Sequence, residues 1–333
     1  MKLLEKDSYG CPYLILAPME GVGDPSFRAA MASVGGFDEA VTEFLRVPIN
    51  AHIPSLAKHY NAEELAPTPL AVQLMGSDPH LMALMAQEME RKKAPRIDIN
   101  CGCPSNTVTG KGAGSSLLKD PNFLYQVAHS VVKAVKTPVT IKMRSGYTDI
   151  SLFKENLLAA QESGVSFITL HPRTKVDGYG PPARWDLIAE AKSILKIPLV
   201  GNGDILTVPD ALKMLQQTRC DALMIGRGSI INPFIFQQIR AHFSQTTYAI
   251  DPESLETYFT RFISKMPPHM TPRGRLGKIK QLMSFFFKAT PTLLAKRQEV
   301  LAAKHETMEL LLAYVLPILK ETLIPILTDK PTL

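Results

Sequence analysis

The sequence predicts an α/β fold, a (β/α)8 TIM barrel followed by a C-terminal all-helical domain. Three observations carry that prediction. Short apolar runs alternate with longer amphipathic segments, polar and thiol-bearing residues gather where the runs end, and both patterns stop after Phe243.

Eight runs rich in Val, Ile, Leu and Phe read as strands, at 14–19, 40–44, 70–75, 96–101, 139–143, 167–171, 198–201 and 222–226. The segments between them, 25–34, 79–93, 121–136, 151–163, 185–195, 208–217 and 233–243, carry helical periodicity. Pro25, Pro79, Pro121 and Pro233 stand at or near four of the starts, where a missing N–H is no loss. Regular strand–helix alternation implies a parallel sheet. Eight repeats in about 245 residues fit a closed barrel better than an open sheet.

Beyond the polar 244–247 linker, helices are expected at 254–265, 275–288, 293–304 and 307–324, separated by Pro267-Pro268, Pro272 and Thr290-Pro291. The expected domains are therefore a barrel over 1–244 and a helical unit over 250–333. The helical unit is basic: from Lys265 to Lys304 there are nine Lys or Arg against one acid, Glu299. Such a run is either a solvated face or a polyanion-binding surface.

The 333 residues are 45% hydrophobic, enough for one large core and a smaller appended domain. Four cysteines without disulfide-framework spacing suit a reducing cytosol, and no leader is visible, so a cytoplasmic location is expected. The most apolar stretch, 310–327, is broken by Pro317, Lys320, Glu321 and Pro325, so no membrane association is expected. Nothing implies a protein partner. The expected state is a monomer.

In a barrel the reacting groups sit at the C-terminal ends of the strands. Here those ends read Ala17-Pro-Met-Glu-Gly, Val72-Gln-Leu-Met-Gly, Asp98-Ile-Asn-Cys-Gly-Cys-Pro-Ser, Ile141-Lys-Met-Arg, Leu170-His-Pro-Arg-Thr, Gly201-Asn-Gly-Asp and Ile225-Gly-Arg-Gly. The last two are glycine-rich turns before helices, which suits a phosphate-bearing cofactor, with Arg227 beside it. Lys142 interrupts an apolar strand, so it either snorkels outward or faces inward to stabilise charge on a reduced flavin. Gln73 can donate and accept at once, as a flavin imide edge requires. His171 suits cofactor, a uracil ring or simple burial. Cys101 and Cys103 lack metal-ligand spacing, so no metal is expected. Cys103, between Gly and Pro, faces the mouth; Cys101 is read as core packing.

These motifs, in this order and spacing, resemble the tRNA-dihydrouridine synthases, with Asn-Cys-Gly-Cys-Pro the most specific element. Thr42-Glu-Phe, the Arg173–Tyr179 loop and Lys278-Ile-Lys-Gln are similar to the bacterial C-type branch. The resemblance implies FMN held by Pro18, Met19, Glu20, Gln73, Lys142, His171, Asn202, Gly203, Asp204, Gly226 and Arg227. It implies tRNA contacts at Glu43, Asn100, Arg144, Tyr179, Lys278 and Lys280, and uridine 16 of the D loop as target. Asp204 stands where the family commonly carries Glu, and Leu282 and Phe287 where the C-type tail carries aromatic and basic groups.

The chemistry so implied is NADPH-driven reduction of the uracil C5–C6 bond, hydride arriving at C6 and Cys103 giving the proton to C5. A thiol with a pKa of about 8.5 is mostly protonated at neutral pH, whereas Lys142 or Arg144 nearby would favour thiolate. The rival readings are an FMN barrel acting on a free pyrimidine, of the dihydroorotate dehydrogenase type, and an RNA-binding barrel without catalysis. The first has no need of a basic tail.

Overall fold

A computed structural model describes residues 4–105, 112–305 and 307–328. Its strands are β1 (Tyr13–Leu16), β2 (Glu39–Val41), β3 (Leu45–Arg46), β4 (Leu70–Met75), β5 (Ile97–Cys101), β6 (Val139–Gly146), β7 (Ile168–Thr174), β8 (Leu199–Asn202) and β9 (Ala222–Ile225). They run parallel in the order β2-β1-β9-β8-β7-β6-β5-β4-β3, and β2 also pairs with β4. That pairing sets Ala40 beside Leu70 and Val41 beside Ala71, closing eight strands into a barrel. β3 extends the sheet beside Leu74 and Met75.

Around the barrel lie α1 (Pro25–Val34), α2 (Ile53–Ala57), α3 (Pro79–Arg91), α4 (Pro121–Ala134), α5 (Phe153–Glu162), α6 (Trp185–Ile194), α7 (Val208–Thr218), α8 (Arg227–Ile231) and α9 (Ile235–Phe243). The tail consists of α10 (Pro252–Ser264), α11 (Pro272–Phe286), α12 (Pro291–Ala302) and α13 (Met308–Thr328). The first three tail helices begin two or three residues earlier than periodicity alone places them, and α13 begins one residue later. Pro252, Pro272 and Pro291 belong to first turns, because Asp251, Thr271 and Thr290 cap the N–H groups that follow. A short 3-10 helix, Gly114–Lys119, follows β5.

Strand alternation divides the core in two. Ile97, Ile99 and Cys101 of β5 and Ile141 and Met143 of β6 face the helices, while Ile15, Val41, Ala71, Phe167, Val200 and Met224 pack in a separate apolar cluster inside the ring. The interior also holds charge. Arg96, 1% exposed, donates through Nη2 to Glu39 Oε2 at 2.6 Å and through Nη1 to Thr140 Oγ1 at 2.5 Å, with its guanidinium 5.0 Å from the Phe167 ring centre. Burying a lone charge costs several kcal/mol, so this arginine is held by carboxylates, Glu39 and Asp98.

The tail packs on the barrel's outer layer. Leu255, Tyr258, Phe259 and Phe262 of α10 and Leu282 and Phe286 of α11 belong to the same continuous core as Phe27 and Met31 of α1. Leu282 and Phe287 are thus internal packing residues. Among the described residues no helix is long and apolar enough to cross a membrane.

Candidate active site

A cavity opens at the C-terminal ends of the strands, where the pattern of polar strand ends places it. It is lined by Ala17, Pro18 and Met19 after β1, Gly102 after β5, Lys142 and Arg144 of β6, His171 of β7, Asn202 to Leu206, and Met224 to Gly228. Of the residues expected to hold the cofactor, Pro18, Met19, Lys142, His171, Asn202, Gly203, Asp204, Gly226 and Arg227 meet there. Glu20 is exposed. Gln73 lies deeper and is fully buried.

Lys142 faces the cavity, and its ammonium has no hydrogen-bond or ion-pair partner among the described residues. Burial and the Arg144 charge, opposed by Asp98, push it from the ordinary 10.5 down to about 8. His171 is held neutral, well below the usual imidazole range, by burial and by the surrounding Lys142, Arg144, Arg173 and Arg227 charges. Arg173 Nη1 lies 3.4 Å from His171 Nε2. A guanidinium can only donate, so Nε2 accepts and the ring proton sits on Nδ1. That Nδ1 is buried without a partner.

Arg173 escaped the sequence reading although its motif was noted. It also donates to Asp204 at 3.1 and 2.6 Å, while Arg227 donates to the same carboxylate at 2.9 Å. Asp204 adopts the left-handed φ of +54° and also accepts from Ala183 N–H at 2.8 Å. Burial opposes its charge, but these hydrogen bonds and arginines outweigh burial and hold its carboxyl below the ordinary range. Its role is thus to fix Arg227 at the glycine turns. At Gly203, φ is +119° and a Cβ would approach His171 Cδ2 to 3.1 Å; at Gly228 a Cβ would lie 2.1 Å from the Ile205 carbonyl oxygen. Bare backbone is required at both places.

Cys103 follows Gly102, which lines the cavity, but does not itself line it, and packs with Met75, Ala113 and Phe44. Asn100 builds its turn, Oδ1 accepting from Gly102 N–H at 3.0 Å and Cys103 N–H at 2.9 Å, while Ser115 Oγ donates to the Cys103 carbonyl at 2.8 Å. Burial pushes the Cys103 thiol upward, against the lowering influence of a Ser105 hydrogen bond, Arg46 and Arg144. The competition between burial and nearby cations therefore resolves in favour of the protonated thiol. Cys101 is fully buried on the helix-facing side of β5.

The residues expected at the RNA have varied surroundings. Tyr179 is 57% exposed, with the Arg144 and Arg227 guanidiniums 5.2 and 4.8 Å from its ring centre. Arg144, 3% exposed, donates to the carbonyls of Gly102 at 2.8 Å, Thr174 at 2.7 Å and Gly178 at 2.9 Å, tying two mouth loops together. Glu43 accepts from Gly21 N–H at 2.5 Å, and Lys278 binds the Gly21 carbonyl at 3.1 Å and Asp24 Oδ2 at 2.7 Å. The loop after β1 is thereby held from barrel and tail alike. Lys280 Nζ donates to the carbonyls of Leu301 and Ala303 at 2.9 and 2.7 Å, capping α12. Asn100 is buried in its turn. Among the described residues no group of three His, Cys, Asp or Glu is placed to hold a metal ion.

A parallel barrel whose mouth joins a cationic cavity to a thiol-bearing turn has the arrangement of an enzyme's reaction centre. The dihydrouridine synthase (Dus) family profile matches residues 15–310, and the chain belongs to that family. It is 36% identical over 287 residues to the tRNA-dihydrouridine(16) synthase of Shewanella oneidensis, covering 84% of this chain and 90% of that one. It is 37% identical over 291 residues to the enzyme of the same name from Pseudomonas syringae pv. tomato, with coverage of 84% and 90%. In fold it is similar to histamine dehydrogenase from Rhizobium sp. 4-9, with TM-score 0.52 and 17% identity over 75% of this chain and 49% of that one.

Proposed function

We propose that this protein reduces the C5–C6 bond of uridine 16 in the D loop of tRNA, using FMN as its flavin and NADPH as reductant, as a cytoplasmic monomer. The substrate and position are supported by relatives named for that activity that align along most of this chain. The observation that carries the chemistry is a cavity holding an unpartnered ammonium, Lys142, and an orphaned buried donor, His171 Nδ1, and bounded by Gly102, the residue before the Cys103 thiol.

FMN fits these groups. Lys142 and His171 would satisfy their free donors on acceptor atoms of the flavin ring, Pro18 and Met19 would meet its face, and Gly203, Gly226 and Arg227 would receive the phosphate, with Asn202 and Asp204 fixing the turns and Glu20 at the rim. Gln73, whose amide is engaged with Asp98 and Asn100, would reach the ring only through its remaining N–H or lone pair. Bound there, FMN supplies the hydride equivalent for C6.

Cys103 completes the reduction. Its S–H bond breaks as a C5–H bond forms, and the thiolate left behind recovers a proton from solvent. Tyr179 at the rim and the basic 250–333 unit would hold the RNA while the target base, turned out of its stack, enters the mouth. Arg144 shapes the entrance from below, through its loop contacts.

The test is a pair of substitutions. Cys103→Ala should leave flavin reduction by NADPH nearly intact and slow uridine reduction about 10²-fold or more, the usual worth of a positioned acid. Cys101→Ala should cost far less, with dihydrouridine at position 16 mapped by mass. Equal behaviour of the two variants would remove Cys103 from the mechanism.

A further inference from the structure

We propose that Asp98 is a positioning residue for the Cys103 thiol: its carboxylate sets the direction of a chain of side-chain amides, Gln73 and then Asn100, that ends on the backbone N–H groups of Gly102 and Cys103. The inference rests on the reading of Cys103 as the proton donor.

The direction of each bond follows from what each group can do. Arg96 only donates, and its Nη1 donates to Thr140 Oγ1 at 2.5 Å, so the Thr140 hydroxyl proton goes to Asp98 Oδ1 at 2.7 Å. The Asp98 carboxylate is thus an acceptor on every side and requires the amino end of Gln73, whose Nε2 lies 2.7 Å from Oδ2. Gln73 must then present Oε1 to Asn100, where it accepts from Nδ2 at 2.7 Å. Asn100 in turn is left with Oδ1 toward the turn, where it receives both N–H groups at 3.0 and 2.9 Å. A side-chain amide occupies the same space when reversed. The carboxylate at one end and the two donor-only N–H groups at the other demand the same sense, and Gln73, Asp98 and Asn100 are all buried, so water does not relieve a wrong one.

The sense can be reversed by isosteric changes. Asp98→Asn turns an amino group toward Gln73, which reverses, then reverses Asn100 and sets its amino group against the N–H groups of Gly102 and Cys103. Asn100→Asp sets a carboxylate against Gln73 Oε1 while Asp98 still fixes the other end of Gln73. Together the two changes are compatible. Residue 98 then donates to Gln73 Oε1, Gln73 Nε2 donates to the carboxylate at 100, and that carboxylate again receives both N–H groups.

The experiment follows alkylation of Cys103 by iodoacetamide at pH 8, by peptide mass, in the full-length flavin-loaded protein, with flavin absorbance per chain as folding control. Each single variant should react about tenfold faster than wild type or more, because the turn that buries the thiol loosens, and the double variant should return to within about threefold. A double variant as fast as the faster single, or singles at the wild-type rate, overturns the proposal. If Asp98→Asn does not fold, Asn100→Asp carries the test alone. An aspartate ordinarily serves such a turn as well as an asparagine does, so a wild-type rate there also overturns it. Full uridine reduction by Cys103→Ala would remove the catalytic meaning of the chain, whereas an unrescued alkylation cycle would remove the chain itself.

Discussion

At the scale of single residues, an ammonium in a cavity without a counter-ion favours any ligand that brings negative charge. Lys142 titrates near 8 when folded and at 10.5 ordinarily, so between those values the unfolded chain holds a proton that the folded one has released. The flavin-free protein should therefore gain stability as pH rises through that window. An anionic ligand prefers the charged lysine, so binding above pH 8 takes up a proton. FMN affinity should fall by up to about tenfold per pH unit beyond that point, and Lys142→Met should flatten the curve as well as weaken binding at neutral pH. Fluorescence titration of FMN from pH 7 to 10 reads this, and parallel curves for the two proteins would sever Lys142 from the cofactor. The lysine was legible in the sequence because it breaks an apolar run. The present tasks of Arg144 and Gln73 were not, because their partners, Thr174, Gly178 and Asp98, lie on other segments and become neighbours only through strand register.

At the scale of elements, periodicity located the longer strands and helices, and capping chemistry sets their ends. β3, α2, α8 and the 3-10 helix went unread because two to six residues give no period to detect. α12 shows how both ends of a helix are held. Thr290 Oγ1 accepts from Leu293 N–H at 3.1 Å, and Lys280 meets the last carbonyls across the helix pair. Lys280→Ala should destabilise the tail by about 1 kcal/mol and speed hydrogen exchange across α12. Lys278→Ala should leave α12 protected and loosen the loop after β1 instead. Unchanged exchange in α12 on loss of Lys280 would show that the cap contributes nothing.

For the whole molecule, the basic tail divides into cations committed to hydrogen bonds within the protein and cations exposed at its surface. Lys278 and Lys280 are bound within the protein, and Arg297 Nε donates to the Ser284 carbonyl at 3.0 Å, whereas Arg273, Lys288, Lys296 and Lys304 are exposed. Polyanion docking through the exposed set predicts that Lys288→Ala with Lys296→Ala flattens the log–log salt dependence of tRNA binding by about one to two units, without changing flavin content. Equal slopes for the variant and wild type would leave these lysines as a solvated face. One property of the core bears on how such proteins can be rebuilt. α10 lays its aromatic side chains into the same packing as Phe27 and Met31 of α1, and α1 is capped by Asp24, which also grips Lys278. The tail is therefore no detachable cassette. Grafting another tail onto this barrel, to redirect it to a different nucleotide, would require transplanting the outer face of α1 and the Asp24 anchor with it, or the chimera would expose a greasy seam and unmoor the loop that carries Pro18 and Met19.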